Sequence, residues 1–281
     1  VVFGYFYSRN IWYLLDRARG PIKYTSIPVL LSFAVIIGFW EINGFRFWSA
    51  AHMFIYGLLP YLLERKKRLL WVCFLSIFMH FSFVFPCLII LLYLLFGNRL
   101  DLYFYFFLIS FLIFSIDLSS LSVVLGNFLP AIFQAKAEFY ANPEYAESLG
   151  SAQAKLNWYA RYYTISLNIA IVVIAGYLFF FRRATLSEPH ISNLSSFSYL
   201  FFGMANIISL VPSGGRFLSI GSMLIMALAF FVVQTSLKVR SFQRIMFFNL
   251  PFLTFFWIMA FRFCMDTLSV LTVFGNPLLA L

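Results

Sequence analysis

The sequence predicts an all-α, polytopic membrane helix bundle, and three observations predict it. Residues are 63% hydrophobic and only 11% charged, with a mean hydropathy of +0.90, whereas a soluble domain needs far more polar surface. Apolar runs of about twenty residues recur, the length at which an α-helix crosses the hydrocarbon core. These runs are continuous rather than alternating, which excludes a β-barrel. The expectation is a single transmembrane domain over 1–281 with roughly eight to ten membrane segments, one of them re-entrant or broken, and one external amphipathic loop.

Residues 1–8 read as the tail of a membrane helix, and the opening Val1-Val2-Phe3, without Met, reads as the start of a portion of a longer protein that lacks its N-terminal segments. Arg9, Arg17, Arg19 and Lys23 follow. The stretch 24–42 is apolar, Asn43-Gly44 breaks it, and a second run from Arg46 ends near Leu63. Glu64-Arg65-Lys66-Lys67-Arg68 is the strongest basic cluster. From Leu69 to Phe96 the expectation is one long helix containing His80 and kinked at Pro86. Asn98-Arg99 and Asp101 mark a turn, and 102–116 crosses back. The stretch 117–133, with Gly126 and Pro130, fits a re-entrant segment. Residues 134–161 are the only extended polar stretch, expected as short interfacial helices broken at Asn142-Pro143 and Gly150. Apolar runs then cover 162–181, 193–211, 217–236 and 245–261.

Charge orients these segments. If Arg65–Arg68 are cytoplasmic and 117–133 counts as a crossing, Arg9–Lys23, Arg182-Arg183 and Lys238–Arg244 are cytoplasmic too, as the positive-inside rule requires. The net charge of +10 is thereby accounted for without nucleic acid. Arg46, Arg161, Arg216 and Arg262 fall on the opposite, external side, as does the 134–161 loop. Isolated arginines on the depleted side are the informative ones.

Arg46 stands at a helix mouth in Asn43-Gly44-Phe45-Arg46-Phe47-Trp48. It reads either as an interfacial arginine among aromatic belt residues or as an anion-binding fork facing an external cavity. His80 shares a helical stripe with Cys73, Ser76, Val84 and Cys87, a face for the bundle interior. It is a structural histidine or a general acid/base. His52 reads chiefly as structural, with a part in substrate binding as its functional alternative, and His190 as a solvated loop residue. Arg216 follows Pro212-Ser213-Gly214-Gly215, a helix break whose free N–H groups and small residues would let a phosphate approach; the plain alternative is an external turn. Arg161 is a further candidate for binding anionic substrate. Cys73, Cys87 and Cys264 have no metal or redox spacing and read as packing residues. The ten acidic residues include no Asp-x-Asp, no HExxH and no paired intramembrane carboxylates, which argues against a resident metal or a carboxylate proton relay.

The stretch from Gly44 to Tyr93 resembles the EpsG branch of Wzy-type polysaccharide polymerases. The matching features are Arg46 followed by small Ala50, the 65–68 basic turn, and a helix carrying His80-x-Ser82; SGGRFLSIGSMLIMAL, with Arg216, is similar as well. The chain departs from the family's pattern at the front, where no Gly-x-Asp-Tyr-like context occurs. The resemblance implies a multi-pass enzyme of the bacterial inner membrane that joins oligosaccharide repeat units carried on polyprenyl pyrophosphate, at the external leaflet and without a cofactor. It further implies membrane lipids and other polysaccharide-assembly membrane proteins as partners. In that role Arg46 and Arg216 would hold the pyrophosphate, and His80 or His52 would orient the acceptor hydroxyl or take its proton. A flippase for the same lipids, a membrane acyltransferase and a non-catalytic subunit of a larger assembly remain the alternatives.

Overall fold

A computed structural model describes residues 1–18, 20–112, 158–209, 213–235 and 240–267. The expected re-entrant stretch 117–133 and the 134–157 part of the polar loop lie outside them. The regular elements of the described residues are all helices, with no strand among them. Helices are α1 (Val2–Asp16), α2 (Ile27–Ile36), α3 (Phe45–Glu64), α4 (Leu70–Met79) and α5 (Val84–Phe96). They continue with α6 (Leu100–Ser110), α7 (Trp158–Leu186), α8 (Ser192–Ile208), α9 (Arg216–Thr235) and α10 (Arg240–Thr267). Four described stretches are long and apolar enough to cross a membrane: Tyr24–Glu41, Tyr162–Leu186, Arg216–Thr235 and Ser241–Met265. The protein is therefore a polytopic helical membrane protein.

α9 is the central helix, walled by α2, α7 and α8, with almost every side chain from Phe217 to Gln234 buried. With no water in lipid to drive apolar association, close packing and polar contacts between helices set the register. Gly57 on α3 shows the packing side. A Cβ there would lie 2.6 Å from the Leu69 carbonyl and 2.8 Å from Cys73 Sγ, so only glycine lets α4 pass this close. The polar contacts are few and each joins two elements. Asn10 Nδ2 donates to the His52 carbonyl at 2.9 Å, Tyr93 Oη to Asn193 Oδ1 at 3.1 Å, Asn206 Nδ2 to Ser110 Oγ at 2.7 Å, and Trp257 Nε1 to Ser32 Oγ at 3.0 Å. Cys73, Cys87 and Cys264 are buried free thiols, as expected of packing residues.

Two expectations are corrected. α1 does not stop before Arg9 but continues to Asp16. The run from Leu69 to Phe96 is not one kinked helix: it breaks at His80, whose backbone is extended (φ −153°, ψ 117°), and resumes after a 3-10 turn at Phe81–Phe83. Pro86 sits in the first turn of α5, where its missing N–H would have found no helical partner anyway, so it starts a helix instead of bending one. α4 and α5 then fold back beside each other, with Cys87 Sγ donating to the Cys73 carbonyl at 3.4 Å. The hairpin returns the chain to its starting end. Asn98–Asp101 therefore lies beside Arg183, not opposite it: Arg183 Nη2 is 2.5 Å from Asp101 Oδ2, and Ser196 Oγ bonds Asn98 Oδ1.

The basic clusters that are described do share one end of the bundle. Arg65 closes α3 in the left-handed conformation (φ 59°), its N–H bonding the Tyr61 carbonyl at 3.0 Å. Glu64, just past the apolar run, gathers three donors: Tyr13 Oη and Arg17 Nε at 2.7 Å on Oε1, and Lys66 Nζ at 2.6 Å on Oε2. Lys23 Nζ caps the C-terminus of α9 through the Val233 and Gln234 carbonyls, both at 2.9 Å, where a cation meets the negative end of the helix dipole.

Two outcomes test this architecture. With cysteines placed singly in a Cys-less background, an impermeant thiol reagent should label position 46 in intact cells and position 99 only after permeabilisation. Labelling of both from outside would remove the hairpin. The second test concerns Glu64, whose carboxyl is held down to about 2, chiefly by the Arg17 hydrogen bond and further by Lys66 and Tyr13, against the upward push of burial. A depressed carboxylate stabilises the fold above its unfolded pKa of about 4.3 and loses that contribution as pH falls through its folded value. Wild type should exceed Glu64→Gln by roughly 1–2 kcal/mol near pH 7, allowing for the exposure of Arg17. The gap should close between about pH 4.5 and 2 in thermal melts in detergent.

Candidate functional site

At the end opposite the basic clusters, Phe47 organises the surroundings of two of the candidate residues. It is 4% exposed and lies in the first turn of α3. The Arg216 guanidinium carbon stands 5.6 Å from its ring centroid, and the His80 imidazole meets it edge-on at 5.2 Å and 83°. Phe83 and Phe217 complete the aromatic packing, at 5.3 and 5.4 Å from Phe47. Arg216 and His80, far apart in sequence, thus share one buried ring.

The break at His80 places it there. Antiparallel packing of α3 against α4 brings the end of α4 level with the start of α3, so the hairpin apex meets Phe47. His80 Nδ1 accepts the backbone N–H of Ser82 at 3.3 Å and lies 2.7 Å from Ser82 Oγ. A backbone N–H can only donate, so Nδ1 is the unprotonated nitrogen and neutral His80 carries its proton on Nε2. His-x-Ser is thus a capping unit that fixes a tautomer. In this tautomer the ring is a hydrogen-bond donor at Nε2 and not a ready base.

Arg216 is the first residue of α9 and is exposed. The turn before it needs Ser213 in the left-handed region (φ 66°), and α9 begins with Phe217 N–H on the Gly214 carbonyl at 3.0 Å and Leu218 N–H on Gly215 at 3.1 Å. A Cβ on Gly215 would meet nothing within 4 Å, so the space there is open to an approaching group. Among the described residues Arg216 makes no ion pair within 4 Å.

A carboxylate that sequence reasoning did not single out stands nearby. Glu41 accepts a hydrogen bond from the Trp48 indole and feels the charge of Arg216, and Tyr163 of α7 lies within its field. Gly44 allows this: a Cβ there would sit 2.8 Å from two atoms of the Trp48 ring. The signal in the sequence was an acidic residue at the end of an apolar run, two residues before Asn43-Gly44.

The remaining candidates fall out differently. Arg46 is exposed at the same end, next to Phe47, and forms no hydrogen bond or ion pair with a described residue. Arg161 lies in the first turn of α7, at that same end, and its side chain lies outside what is described. His52 is not at the site. It is fully buried, with Nδ1 3.4 Å from Asn10 Nδ2 and Nε2 3.2 Å from the Ile37 carbonyl, which makes it a core histidine between α1, α2 and α3. Arg262, near the C-terminal end of α10, lies over the Tyr159 ring at 4.9 Å. His190 is not simply solvated: its Nε2 is buried, 3.4 Å from Glu188. A formed cavity of about 180 Å³ lies at the basic end, far from Arg216.

Fold and site together define a polytopic membrane protein with a cationic, aromatic-lined mouth at the end away from its basic clusters. The EpsG family model matches residues 2–271, and the chain belongs to the EpsG family. Comparison with curated proteins and with solved structures gives no match.

Proposed function

We propose that the protein is a polysaccharide polymerase that transfers a glycan chain from its polyprenyl-pyrophosphate carrier to the next lipid-linked repeat unit, at the external face of the bacterial inner membrane. The observation that carries this reading is the pairing of an un-neutralised Arg216 with His80 across Phe47, with Glu41 in the field of that arginine. In the transfer, the acceptor hydroxyl oxygen bonds to the anomeric carbon as that carbon's bond to the pyrophosphate oxygen breaks. The bonding pair leaves with the pyrophosphate. Arg216 offsets the developing charge with a planar fork, and the open space beside Gly215 admits the phosphate. His80 donates from Nε2 to the leaving oxygen. Glu41 takes the acceptor's proton, the part that the tautomer of His80 leaves vacant. Arg46, and Arg161 in the first turn of α7, bind the outer charges of the two lipid-linked substrates. Fixed cations do here what a metal does elsewhere, so the reading is of a metal-independent transfer.

The lipid-linked glycan profile of cells lacking the protein tests the function. Single repeat units facing the external leaflet are the expected result; accumulation on the cytoplasmic leaflet would make the protein a flippase instead. Within the site, Arg216→Lys should lose about 30- to 1000-fold in rate, roughly 2–4 kcal/mol, because an ammonium does not replace a planar fork. Normal polymerisation by the Lys variant at matched expression would reduce Arg216 to an anchor. His80→Asn is the sharper probe, since Asn caps a helix well and can accept the Ser82 N–H without an imidazole. Its thermal midpoint should stay near wild type while turnover falls on the order of 100-fold. Full polymer length in a stable Asn variant would make His80 structural.

A further inference from the structure

The basic end holds a second built feature, remote from the site above. The cavity of about 180 Å³ opens between the C-terminal ends of α1, α3 and α9 and the start of α8. Its polar lining is Tyr13, Arg17, Glu64, His190, Gln234 and Thr235. Gln234 is 4% exposed. Its Nε2 is spent on Ser26 Oγ at 3.2 Å, and among the described residues its Oε1 has no partner. His190 Nε2 is likewise buried without a hydrogen bond, although Glu188 stands 3.4 Å away. A buried, unpartnered acceptor in a formed cavity costs free energy that a bound donor would recover.

The charges around it are arranged for an anion. Arg17 uses only Nε in its pair with Glu64, which leaves the Nη edge of the fork unused among the described residues. Glu64 is saturated by Tyr13, Arg17 and Lys66 and repels a neighbouring anion less than a free carboxylate would. Asp16 acts on Arg17 through space without an ion pair. Thr235 Oγ1 donates to the Phe231 carbonyl at 2.9 Å, so its hydroxyl would meet a ligand as an acceptor. The lining thus asks for an anionic group at Arg17 and hydroxyl donors at Gln234 and Thr235. The volume lies below the roughly 300–1,000 Å³ of pockets that enclose drug-sized molecules, which fits a headgroup and not a nucleotide.

We infer that this cavity is a binding site for a polyol phosphate, of the glycerol-phosphate kind. Two sources carry that chemistry: the headgroup of an anionic glycerophospholipid, attracted to a basic membrane face, and free glycerol phosphate. The test uses the full chain purified in detergent, with thermal midpoint and mass-spectrometric retention as readouts. The probes are phosphatidylglycerol, phosphatidylcholine and glycerol 3-phosphate. Phosphatidylglycerol should raise the midpoint and be retained, whereas phosphatidylcholine should do neither. A response to phosphatidylglycerol alone identifies a lipid site, and an equal response to glycerol 3-phosphate a soluble ligand. Arg17→Gln and Gln234→Leu should each require roughly tenfold more of the active probe. Thr235→Val, which leaves the ion pair intact, should require several-fold more, and Arg99→Gln, a basic residue at the same end, no more than wild type. The inference is overturned if neither anionic probe moves the folded protein. It is also overturned if the cavity variants respond as wild type does, or if Arg99→Gln loses as much as they do; the cavity would then hold water alone.

Discussion

A polar group carried into an apolar medium costs free energy unless it finds a partner inside the protein, and that cost shapes this chain. Backbone groups meet it by forming helices. Side chains meet it by bonding across helices, as Asn10, Tyr93, Asn206 and Trp257 do. Serines of α8 meet it locally, with Ser195 and Ser196 donating to carbonyls one turn back. A few buried atoms do not meet it among the described residues, such as Asn206 Oδ1 and both amide atoms of Asn249, whereas the ion pairs lie at the basic end.

The hairpin of α4 and α5 shows how one satisfied polar group decides geometry. Had His80 been an ordinary helical residue, Leu69–Phe96 would have run straight through and carried its stripe past the mouth of α3. Instead its ring accepts the Ser82 N–H, the helix ends, and the chain reverses at the level of Phe47. The same bond assigns the ring proton. Position and protonation follow from a single contact, and for that reason the candidate base must be sought among the neighbours, where Glu41 stands.

Fold class and the segregation of the described basic residues to one end were legible in the sequence because hydropathy and charge are local properties. The hairpin was not. A helix that passes Pro86 and one that begins just before it carry the same apolar pattern, and only the cap distinguishes them; His-x-Ser was the available signal, and its meaning is geometric. Glu41 was missed for a related reason: a lone carboxylate at the end of an apolar run means little until Trp48 and Arg216 converge on it. His52, read chiefly as structural, is held in the core by Asn10 and the Ile37 carbonyl, partners that come from two other elements. The hydropathy pattern of α3 is the same whether that histidine faces a core or a cavity.

The two ends treat their cations in opposite ways, and this difference separates structural from chemical arginines. At the basic end Arg17, Lys66 and Arg183 are paired with Glu64 and Asp101. These pairs are partly exposed and individually weak, but they neutralise charge where loops must pack. At the other end Arg216 and Arg262 lie over aromatic rings and have no carboxylate within ion-pair distance among the described residues. Stacking on a ring face holds a guanidinium by its π surface and leaves the in-plane N–H groups without acceptors. An arginine held in that way is fixed in position yet unsatisfied at its edge, which is the state in which a fork binds phosphate oxygens most strongly. Replacing Phe47 by leucine would keep the burial and remove the π surface. Arg216 would then be free to turn toward Glu41, and the mouth would pair its own charges instead of binding those of a substrate.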